Sequence, residues 1–287
     1  MIDLHTHSTA SDGTLSPVQL VRKAVELNLK ALALTDHDTT SGLKEFIEAG
    51  ENEPVKIIPG VEIAASWYGS SLHIAGLFID PDCEVLNNML YKVRQDRDFR
   101  NRKILRRLWE LGINLTYEDV EHYAGNEVMG RPHFAAALVD QGFCHDHKEA
   151  FTDLLGKDAS AYVKRYLPLP AQTIDAIHQA GGTAAWAHPL GGIENPKPAR
   201  IRQTASHLKK LGLDAMEVYY SEYTQEKEDL AKKIADEFYL AWSGGSDFHG
   251  NNLPDFQLGV GKGNLCVPDK LLNSLYPKLR YLDPLAR

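Results

Sequence analysis

The sequence IDLHTHSTASDGTLSPVQLVRKAVELNLKALALTDHD, residues 2–38, alternates two strand-like patterns with one helical pattern. Residues 2–7 read as a short strand that ends in two histidines. Ser16 followed by Pro17 is typical of a helix start, because proline suits the first helical position. The apolar run 31–35 then predicts a second, buried strand. Strands alternating with helices in this way are typical of an α/β fold.

The alternation continues in two other parts of the chain. Runs rich in β-branched residues and bounded by proline and glycine predict strands, and helical patterns separate most of them. Seven strands, most followed by a helix, predict a TIM-like (β/α) barrel or a barrel-like sheet. The five further predicted strands are 56–65, 72–79, 183–187, 215–220 and 240–244.

Between the two strand-rich parts, helical periodicity dominates. Leu86, Leu90 and Val93 recur at helical spacing, and no convincing strand pattern appears before residue 165. We therefore expect a helical insertion domain at 82–165. The barrel would then be formed by residues 1–81 and 166–287.

Composition limits the class of protein. The formal net charge of −8 argues against a broad surface for duplex DNA or RNA. No apolar run approaches the roughly 18 residues of a membrane helix, and the first residues do not resemble a signal peptide, so a cytoplasmic location is expected. The three cysteines are far apart, which argues against a disulfide scaffold or a cysteine zinc site.

One segment departs from this acidic balance. Residues 92–107 contain eight basic side chains against Asp96 and Asp98, a net charge of +6. A solvated helix face is the simpler interpretation. A functional interpretation is that the segment attracts anionic ligands.

Nine potential metal ligands occupy mainly predicted strand ends. Alternate residues of a strand point the same way, so His5 and His7 can share a cation. Glu62 interrupts an apolar strand, and a buried glutamate is costly unless it is paired or bound to metal. Asp38, by contrast, is expected to cap the next helix. The nine are His5, His7, Asp12, His37, Glu62, His73, His188, Asp247 and His249.

Each of these residues alone has a structural explanation, but the set as a whole predicts a metal cluster. Imidazole and carboxylate groups suit Zn, Mn and Fe. Nine ligands exceed the four of a tetrahedral ion, which implies two or three ions. Three divalent ions against three carboxylates leave about three positive charges, so a multiply charged phosphate ester fits better than a neutral amide.

The motifs HTH, SDG, TDHD, AHP and SDFH, with the internal Glu62 and His73, resemble those of the polymerase and histidinol phosphatase (PHP) family. The resemblance implies a distorted seven-stranded barrel with a trinuclear metal site. It assigns His5, His7, Glu62 and Asp247 to one ion, Glu62 with His73 and His188 to a second, and Asp12, His37 and His249 to a third.

Within the family, the insertion and the segment Gly130-Arg131-Pro132-His133 resemble the branch of 3′,5′-nucleoside bisphosphate phosphatases. That branch implies removal of the 3′-phosphate, for instance from adenosine 3′,5′-bisphosphate. Arg131 and His133 would stand at a helix N-terminus, which favours phosphate binding. An internal salt bridge of Arg131 is the structural alternative. Arg200 is a further candidate for substrate binding.

The expected reaction is in-line attack on phosphorus by a hydroxide that bridges the ions. His188, Asp247 and His249 are candidates for proton transfer to the leaving oxygen. Three Mn²⁺ ions are expected from the family, with Zn²⁺ or Fe²⁺ as alternatives. The expected partner is a small nucleotide or a short RNA, with neither duplex DNA nor a membrane.

Several alternatives remain open at this stage. Some relatives are 5′→3′ exoribonucleases, and other branches act on histidinol phosphate. Related metallohydrolases cleave C–N bonds, although they commonly bridge their metals with a modified lysine where this chain offers Glu62. The last alternative is a non-catalytic module with structural metals.

Overall fold

The computed structural model describes residues 1–124 and 129–276. The chain divides into two compact units. Met1–Met89 and Pro168–Arg287 form one, the barrel unit, and Leu90–Leu167 form the other, the insertion unit. The domain bounds drawn from the sequence remain a prediction about independently folding domains.

Seven strands form one sheet in which sequence order equals spatial order. The first three strands are parallel to one another, and so are the last three. The fourth strand is antiparallel to both of its neighbours. The strands are β1 (Ile2–Asp3), β2 (Ala31–Leu34), β3 (Lys56–Trp67), β4 (Ser70–Leu77), β5 (Thr183–Ala187), β6 (Ala215–Tyr220) and β7 (Ala241–Gly245).

The sheet curls until its first and last strands meet. The backbone N–H of Leu4 donates to the carbonyl of Gly244 at 3.2 Å, and the N–H of Asp247 donates to the carbonyl of His5 at 2.9 Å. These bonds pair the segment after β1 with the segment at the end of β7. The predicted α/β fold, a distorted seven-stranded barrel, is therefore confirmed.

The antiparallel β4 is the main departure from a regular (β/α) barrel. Only Tyr68 and Gly69 connect β3 to β4, and both have positive φ angles of 41° and 79°. A two-residue connection permits an antiparallel hairpin, whereas a parallel crossover needs a dozen residues or more. The short link between the two strands therefore fixes the direction of β4.

Helices cover the outside of the sheet. The first of them has the predicted start: the Ser16 hydroxyl accepts the N–H of Gln19, and the Gln19 side chain accepts the N–H of Ser16. Six of the fourteen residues in the buried core cluster of this unit are alanines, among them Ala33, Ala75 and Ala185. The helices of this unit are α1 (Pro17–Glu26), α2 (Leu43–Gly50), α7 (Pro170–Gln179), α8 (Pro198–Lys210), α9 (Gln225–Glu237) and α10 (Leu272–Leu275).

The insertion unit contains only helices among its described residues, as the periodicity predicted. It has its own apolar cluster, which includes Ile104, Leu108 and Phe134. The short helix α6 continues into a π-helical turn, Ala150–Leu155. Its helices are α3 (Glu84–Glu110), which begins in the barrel unit, α4 (Tyr117–Ala124), α5 (Arg131–Asp140) and α6 (His147–Glu149). Among the helices described in either unit, none is long and apolar enough to span a membrane.

Candidate metal centre

All nine candidate ligands belong to the barrel unit, and six of its seven strands contribute them. Some side chains lie within a strand, and others lie in the segment that follows one. The topology thus gathers residues that are far apart in sequence. His5, His7 and Asp12 follow β1, His37 follows β2, Glu62 lies in β3, His73 in β4, His188 follows β5, and Asp247 and His249 follow β7.

Glu62 lies at the centre of this group and is fully buried. Its Oε1 atom lies 2.9 Å from Nδ1 of His73 and 2.9 Å from Nε2 of His188. Its Oε2 atom lies 2.9 Å from Nδ1 of His37. One carboxylate therefore touches histidines from three different strands or strand ends, as a ligand shared between two cations would.

The other two carboxylates flank the histidines on either side. Asp247 Oδ1 lies 3.2 Å from Nε2 of His7 and 3.6 Å from Nε2 of His5. Asp12 approaches Nε2 of His249 at 3.4 Å and Nε2 of His37 at 3.5 Å. Every carboxylate of the predicted set thus contacts at least two of the predicted histidines.

Four overlapping groups of these side chains have ligand atoms that all lie within 4.8 Å of one another. Four residues belong to two groups each, so neighbouring ions would share ligands. The arrangement fits two or three ions, and their number and identity remain a prediction. The groups are His7, Asp12, His37 and His249; His5, Glu62 and His188; His5, His7 and Asp247; and His37, Glu62 and His73.

Unsatisfied buried atoms test whether these residues suit a cation. Within the described part of the chain, Nε2 of His5, both ring nitrogens of His7 and Oε2 of Glu62 are buried and have no hydrogen-bond partner. Nε2 of His7 lies near Asp247, and Oε2 of Glu62 lies near Nδ1 of His37, but neither pair has hydrogen-bond geometry. Buried polar atoms without partners are costly. Divalent cations would satisfy these atoms, since imidazole nitrogen and carboxylate oxygen are their usual ligands.

The electrostatics of the site also favour the binding of a cation. Burial lowers the pKa of His37, but Asp12 and Glu62 outweigh it and raise that pKa to about 10. Burial raises the pKa of Glu62, yet His37, His73 and His5 hold it well below its usual range. These carboxylates draw a proton onto imidazole unless another cation is bound. A metal ion would take the place of that proton.

Two of the candidate ligands have a left-handed backbone conformation. His188 and Asp247 have φ angles of 31° and 56°, which non-glycine residues seldom adopt. Strained residues of this kind cluster at functional sites. The Tyr220 hydroxyl further fixes Asp247 by donating to its Oδ2 atom at 2.9 Å.

Glu217 belongs to the site but was not predicted. It lies in β6 and is 3% exposed. Its Oε1 atom accepts a hydrogen bond from Nδ1 of His5 at 3.1 Å, and its Oε2 atom accepts the backbone N–H of His188 at 2.6 Å. With Nδ1 of His5 engaged in this way, Nε2 is left for a cation. A glutamate in an apolar strand was the signal that singled out Glu62, and the same signal was present in Ala215–Tyr220.

Replacing Glu217 with glutamine is expected to weaken metal binding about 10- to 100-fold, because the amide cannot both orient His5 and balance the bound charge. Titration against a chromophoric chelator measures the change. Glu222→Gln is the matched control, since Glu222 is close to Glu217 in sequence but lies outside the ligand cluster. Its Oε1 atom is 3.8 Å from Nζ of Lys262. Equal metal affinity in the two variants would contradict this role.

Asp36, a second unpredicted residue, organises the loop that carries Asp12. Its carboxylate accepts the N–H and the hydroxyl of Ser8, both at 2.7 Å, and the hydroxyl of Ser11 at 2.6 Å. Burial raises the pKa of Asp36 to about 6, although these hydrogen bonds act in the opposite direction. The loop Ser8–Gly13 is thereby held against the end of β2.

The prediction that Asp38 caps a helix is wrong. Helix α2 begins only at Leu43, and its N-cap residue Gly42 makes no side-chain cap bond. Asp38 has a φ angle of 55°, and its carboxylate accepts the N–H of Ala64 in β3 at 3.4 Å. The left-handed backbone turns this side chain toward the sheet instead of toward the helix.

The predicted substrate-binding residues fall in different units. Arg200 lies in the first turn of α8 in the barrel unit and lines a cavity of about 470 Å³ together with His73 and His188. Arg131 and His133 lie in the first turn of α5 in the insertion unit. The roles of these three residues in binding remain predictions.

Comparisons with known proteins agree with the metal centre described above. The family model described as PHP domain matches residues 3–128. A 5′-3′ exoribonuclease of Haemophilus influenzae is 38% identical over 94% of this chain and 96% of its own. A 3′,5′-nucleoside bisphosphate phosphatase of Chromobacterium violaceum is 33% identical, covering 86% and 87%. A crystal structure of a metal-dependent phosphoesterase from Bifidobacterium adolescentis aligns with a TM-score of 0.80 at 29% identity, covering 100% and 98%.

Proposed function

Because the chain belongs to the PHP family of phosphoesterases, we propose that it removes the 3′-phosphate from nucleoside 3′,5′-bisphosphates and leaves the nucleoside 5′-monophosphate. At a coarser level, the chain is a hydrolase of phosphate esters. The observation that carries the finer proposal is the buried ligand cluster around Glu62, with its unsatisfied imidazole and carboxylate atoms.

Charge selects the substrate class. Three divalent ions would bring six positive charges against four buried or half-buried carboxylates, now that Glu217 is included with Asp12, Glu62 and Asp247. About two positive charges would remain, with the histidines neutral. A dianionic phosphate monoester balances such a site better than a neutral amide does.

Bound ions supply Lewis acidity, which lowers the pKa of water and neutralises phosphoryl oxygens. The protein places its own groups around that chemistry. His5, His7 and Glu62 are fully buried and form the floor, whereas His73 and His188 are partly exposed and face the cavity. We assign proton transfer to the leaving oxygen to His188, which lines the cavity, or to His249 or Asp247.

The cavity next to His73 and His188 suits a nucleoside. Trp67 and Trp186 contribute aromatic surface, and Lys197 and Arg200 contribute positive charge. Its volume of about 470 Å³ lies in the range of small-molecule sites. Within the described residues, neither Lys197 nor Arg200 forms an ion pair, which leaves both available for a phosphate.

Comparison of substrates tests the proposal directly. Adenosine 3′,5′-bisphosphate should release phosphate with a kcat/KM at least about tenfold above that for histidinol phosphate, and adenosine 5′-monophosphate should release none. Phosphate assays with the metal-loaded protein give these values. Preference for histidinol phosphate, or equal release from the 5′-monophosphate, would refute the assignment.

A 5′→3′ exoribonuclease is the second candidate, and a specific feature favours it. A second cavity of about 540 Å³ shares Trp67, Lys197 and Arg200 with the first and adds Tyr68, which is 80% exposed. Aromatic rings beside basic side chains are typical of sites for single-stranded nucleic acid. A kcat/KM for short 5′-phosphorylated RNA that exceeds the value for the bisphosphate would favour this candidate.

Replacing Arg200 with alanine is expected to raise KM for the bisphosphate about tenfold while kcat changes less than about threefold, because a charge-assisted contact made before and during the reaction is lost. Steady-state kinetics separates the two constants. Arg202→Ala is the control on the same helix, since Arg202 is already paired with Glu237 at 2.7 Å. A fall in kcat alone would assign Arg200 a different role.

A further inference from the structure

Strand β1 contains a buried carboxylate, Asp3, that is not among the candidate metal ligands. The residue is fully buried, and three backbone N–H groups donate to its side chain. Oδ1 accepts the N–H of Ser246 at 2.9 Å and that of His5 at 3.3 Å, whereas Oδ2 accepts the N–H of Gly259 at 2.8 Å. Burying a carboxylate is costly even when hydrogen bonds replace part of its hydration. The presence of an acid at this position therefore needs an explanation.

The three donors lie in three different segments of the chain. His5 follows β1, Ser246 follows β7, and Gly259 belongs to the turn 257–261, whose end residues exchange two backbone hydrogen bonds at 2.8 Å. Gly259 has a φ angle of 78°, which suits glycine. Through a single carboxylate, Asp3 thus fastens the first strand of the sheet to the segment after the last strand and to the turn that follows.

Closure of the sheet does not by itself require this acid. Ordinary backbone hydrogen bonds already join the two segments, as the N–H of Leu4 donates to the carbonyl of Gly244 at 3.2 Å and the N–H of His7 donates to the carbonyl of Phe248 at 2.9 Å. Bonds of this kind close a barrel without burying a charge. A role beyond closure is therefore the better explanation of Asp3.

The two segments that Asp3 joins carry the ligands of one candidate ion. His5, His7 and Asp247 form one of the four ligand groups, and Asp247 comes directly after Ser246. Asp247 has a φ angle of 56°, and a strained residue of this kind keeps its conformation only where its surroundings hold it. The hydrogen bond from the N–H of Ser246 to Asp3 fixes the residue immediately before it.

We infer that Asp3 is a positioning residue of the metal centre, which holds the backbones of His5 and Asp247 at the separation that a shared cation requires. Groups that orient metal ligands affect metal affinity although they do not touch the ion. The inference rests on the proposed function only in that hydrolysis needs the metal centre, because the role of Asp3 concerns the ligands and not the substrate.

Another ligand group of the same site provides an internal comparison. Its three side chains come from β3, β4 and the segment after β2, outside the segments that Asp3 joins. A change at Asp3 should therefore affect the ions of the site unequally. The residues of this group are His37, Glu62 and His73.

Replacing Asp3 with asparagine tests the inference through metal binding. The amide keeps the size of the side chain, but only one of its two terminal atoms can accept a hydrogen bond, so at least one of the three N–H groups loses its acceptor. Calorimetric titration of the metal-free protein with Mn²⁺ should show affinity lowered about 10- to 100-fold for at least one ion and changed less than about threefold for the others.

Asp214→Asn is the matched control. The side chain of Asp214 is 8% exposed, accepts the backbone N–H of Ala184 at 3.0 Å and pairs with His178 at 2.7 Å. It is thus another largely buried carboxylate that fastens the backbone of the barrel unit, and these partners are not candidate ligands. Its Mn²⁺ affinities should equal those of the wild type. If Asp3→Asn also binds every ion as the wild type does, the inference is overturned.

Thermal unfolding separates positioning from a purely structural role. Without metal, Asp3→Asn should melt within about 3 °C of the wild type, because the lost hydrogen bond is offset by removal of a buried charge. Mn²⁺ should then raise the melting temperature of the variant by about 3–10 °C less than that of the wild type. A variant that fails to fold, or that melts lower without metal and still responds fully to Mn²⁺, would assign Asp3 to folding and contradict the inference.

Cobalt substitution reports the ligand geometry directly. The visible absorption of bound Co²⁺ depends on the type and arrangement of its ligands, which a change in fold stability alone does not alter. The spectrum of Asp3→Asn should differ from that of the wild type, and the spectrum of Asp214→Asn should match it. Identical spectra for the wild type and Asp3→Asn would show that Asp3 does not position the ligands.

Failure of the proposed function would give a different pattern. In that case the wild type would release no phosphate from the bisphosphate, although the difference in metal affinity between the wild type and Asp3→Asn would persist. In an active enzyme, Asp3→Asn should lower kcat about tenfold at saturating Mn²⁺ and change KM less than about threefold, because the cavity lined by Lys197 and Arg200 is unaltered. Unchanged kcat together with unchanged metal affinity would refute the role of Asp3 alone.

Discussion

Replacing Glu62 with glutamine is expected to lower kcat/KM by at least about a thousandfold, the largest effect we expect from a single substitution. Glu62 belongs to two of the four candidate ion groups and contacts His37, His73 and His188 at 2.9 Å each. The amide removes the negative charge that two ions would share. A loss of roughly 4 kcal/mol in transition-state stabilisation corresponds to this factor.

Metal analysis and circular dichroism should accompany the kinetics of this variant. We expect Glu62→Gln to retain its secondary structure and to bind fewer ions per chain than the wild type. Glu222→Gln again serves as the control, with activity within about twofold of the wild type because its carboxylate lies outside the cluster. A fully active Glu62→Gln enzyme would remove the candidate centre from the reaction.

Most of the candidate ligands could be predicted from the sequence, because they are polar residues at the ends of predicted strands. His5, His37 and His188 each follow an apolar strand, and the closing of a sheet brings such ends together wherever the strands lie in the chain. Apolar runs, several of them rich in β-branched residues, identified the strands, and β5 and β6 have the predicted bounds. The antiparallel direction of β4 follows from the two-residue link after Trp67 and could not be predicted from the strand pattern itself.

The two site residues that the sequence did not reveal were missed for the same physical reason. Glu217 and Asp36 contact candidate ligands or their loops through hydrogen bonds, and such partners have no spacing rule relative to the ligands they orient. The charge inside strand Ala215–Tyr220 was a usable signal for Glu217. Asp36, beside His37 in a polar segment, gave none.

Arg100 shows how a pattern can be visible and still be misinterpreted. The basic run 92–107 predicted a solvated face, and Lys92, Arg102 and Arg106 are indeed exposed. The inward stripe of the same helix, however, passes through position 100 at the spacing set by Val93 and Ile104. Composition described the average of the helix, whereas the burial of each charge depends on the side of the helix that it occupies.

Removal of divalent cations is expected to abolish phosphate release, to below about 1% of the initial rate, and to lower the melting temperature. The reason lies in the floor of the site, where Nε2 of His5, both ring nitrogens of His7 and Oε2 of Glu62 are buried without hydrogen-bond partners among the described residues. Ligands that bind only the folded state stabilise it. Dialysis against a chelator, followed by an activity assay and calorimetry, measures both effects.

Reconstitution separates a catalytic centre from a structural one. Mn²⁺ added back to the chelated protein should restore both activity and melting temperature, with up to three ions per chain by mass spectrometry. In Asp247→Ala, the same treatment should restore less of either, because His7 and His5 lose the carboxylate that lies 3.2 Å and 3.6 Å from their Nε2 atoms. A structural metal would return stability without turnover in the wild type, and chelated protein that stays fully active would show that the cluster takes no part in hydrolysis. Only a centre that both binds the ions and carries out the chemistry restores the two properties together.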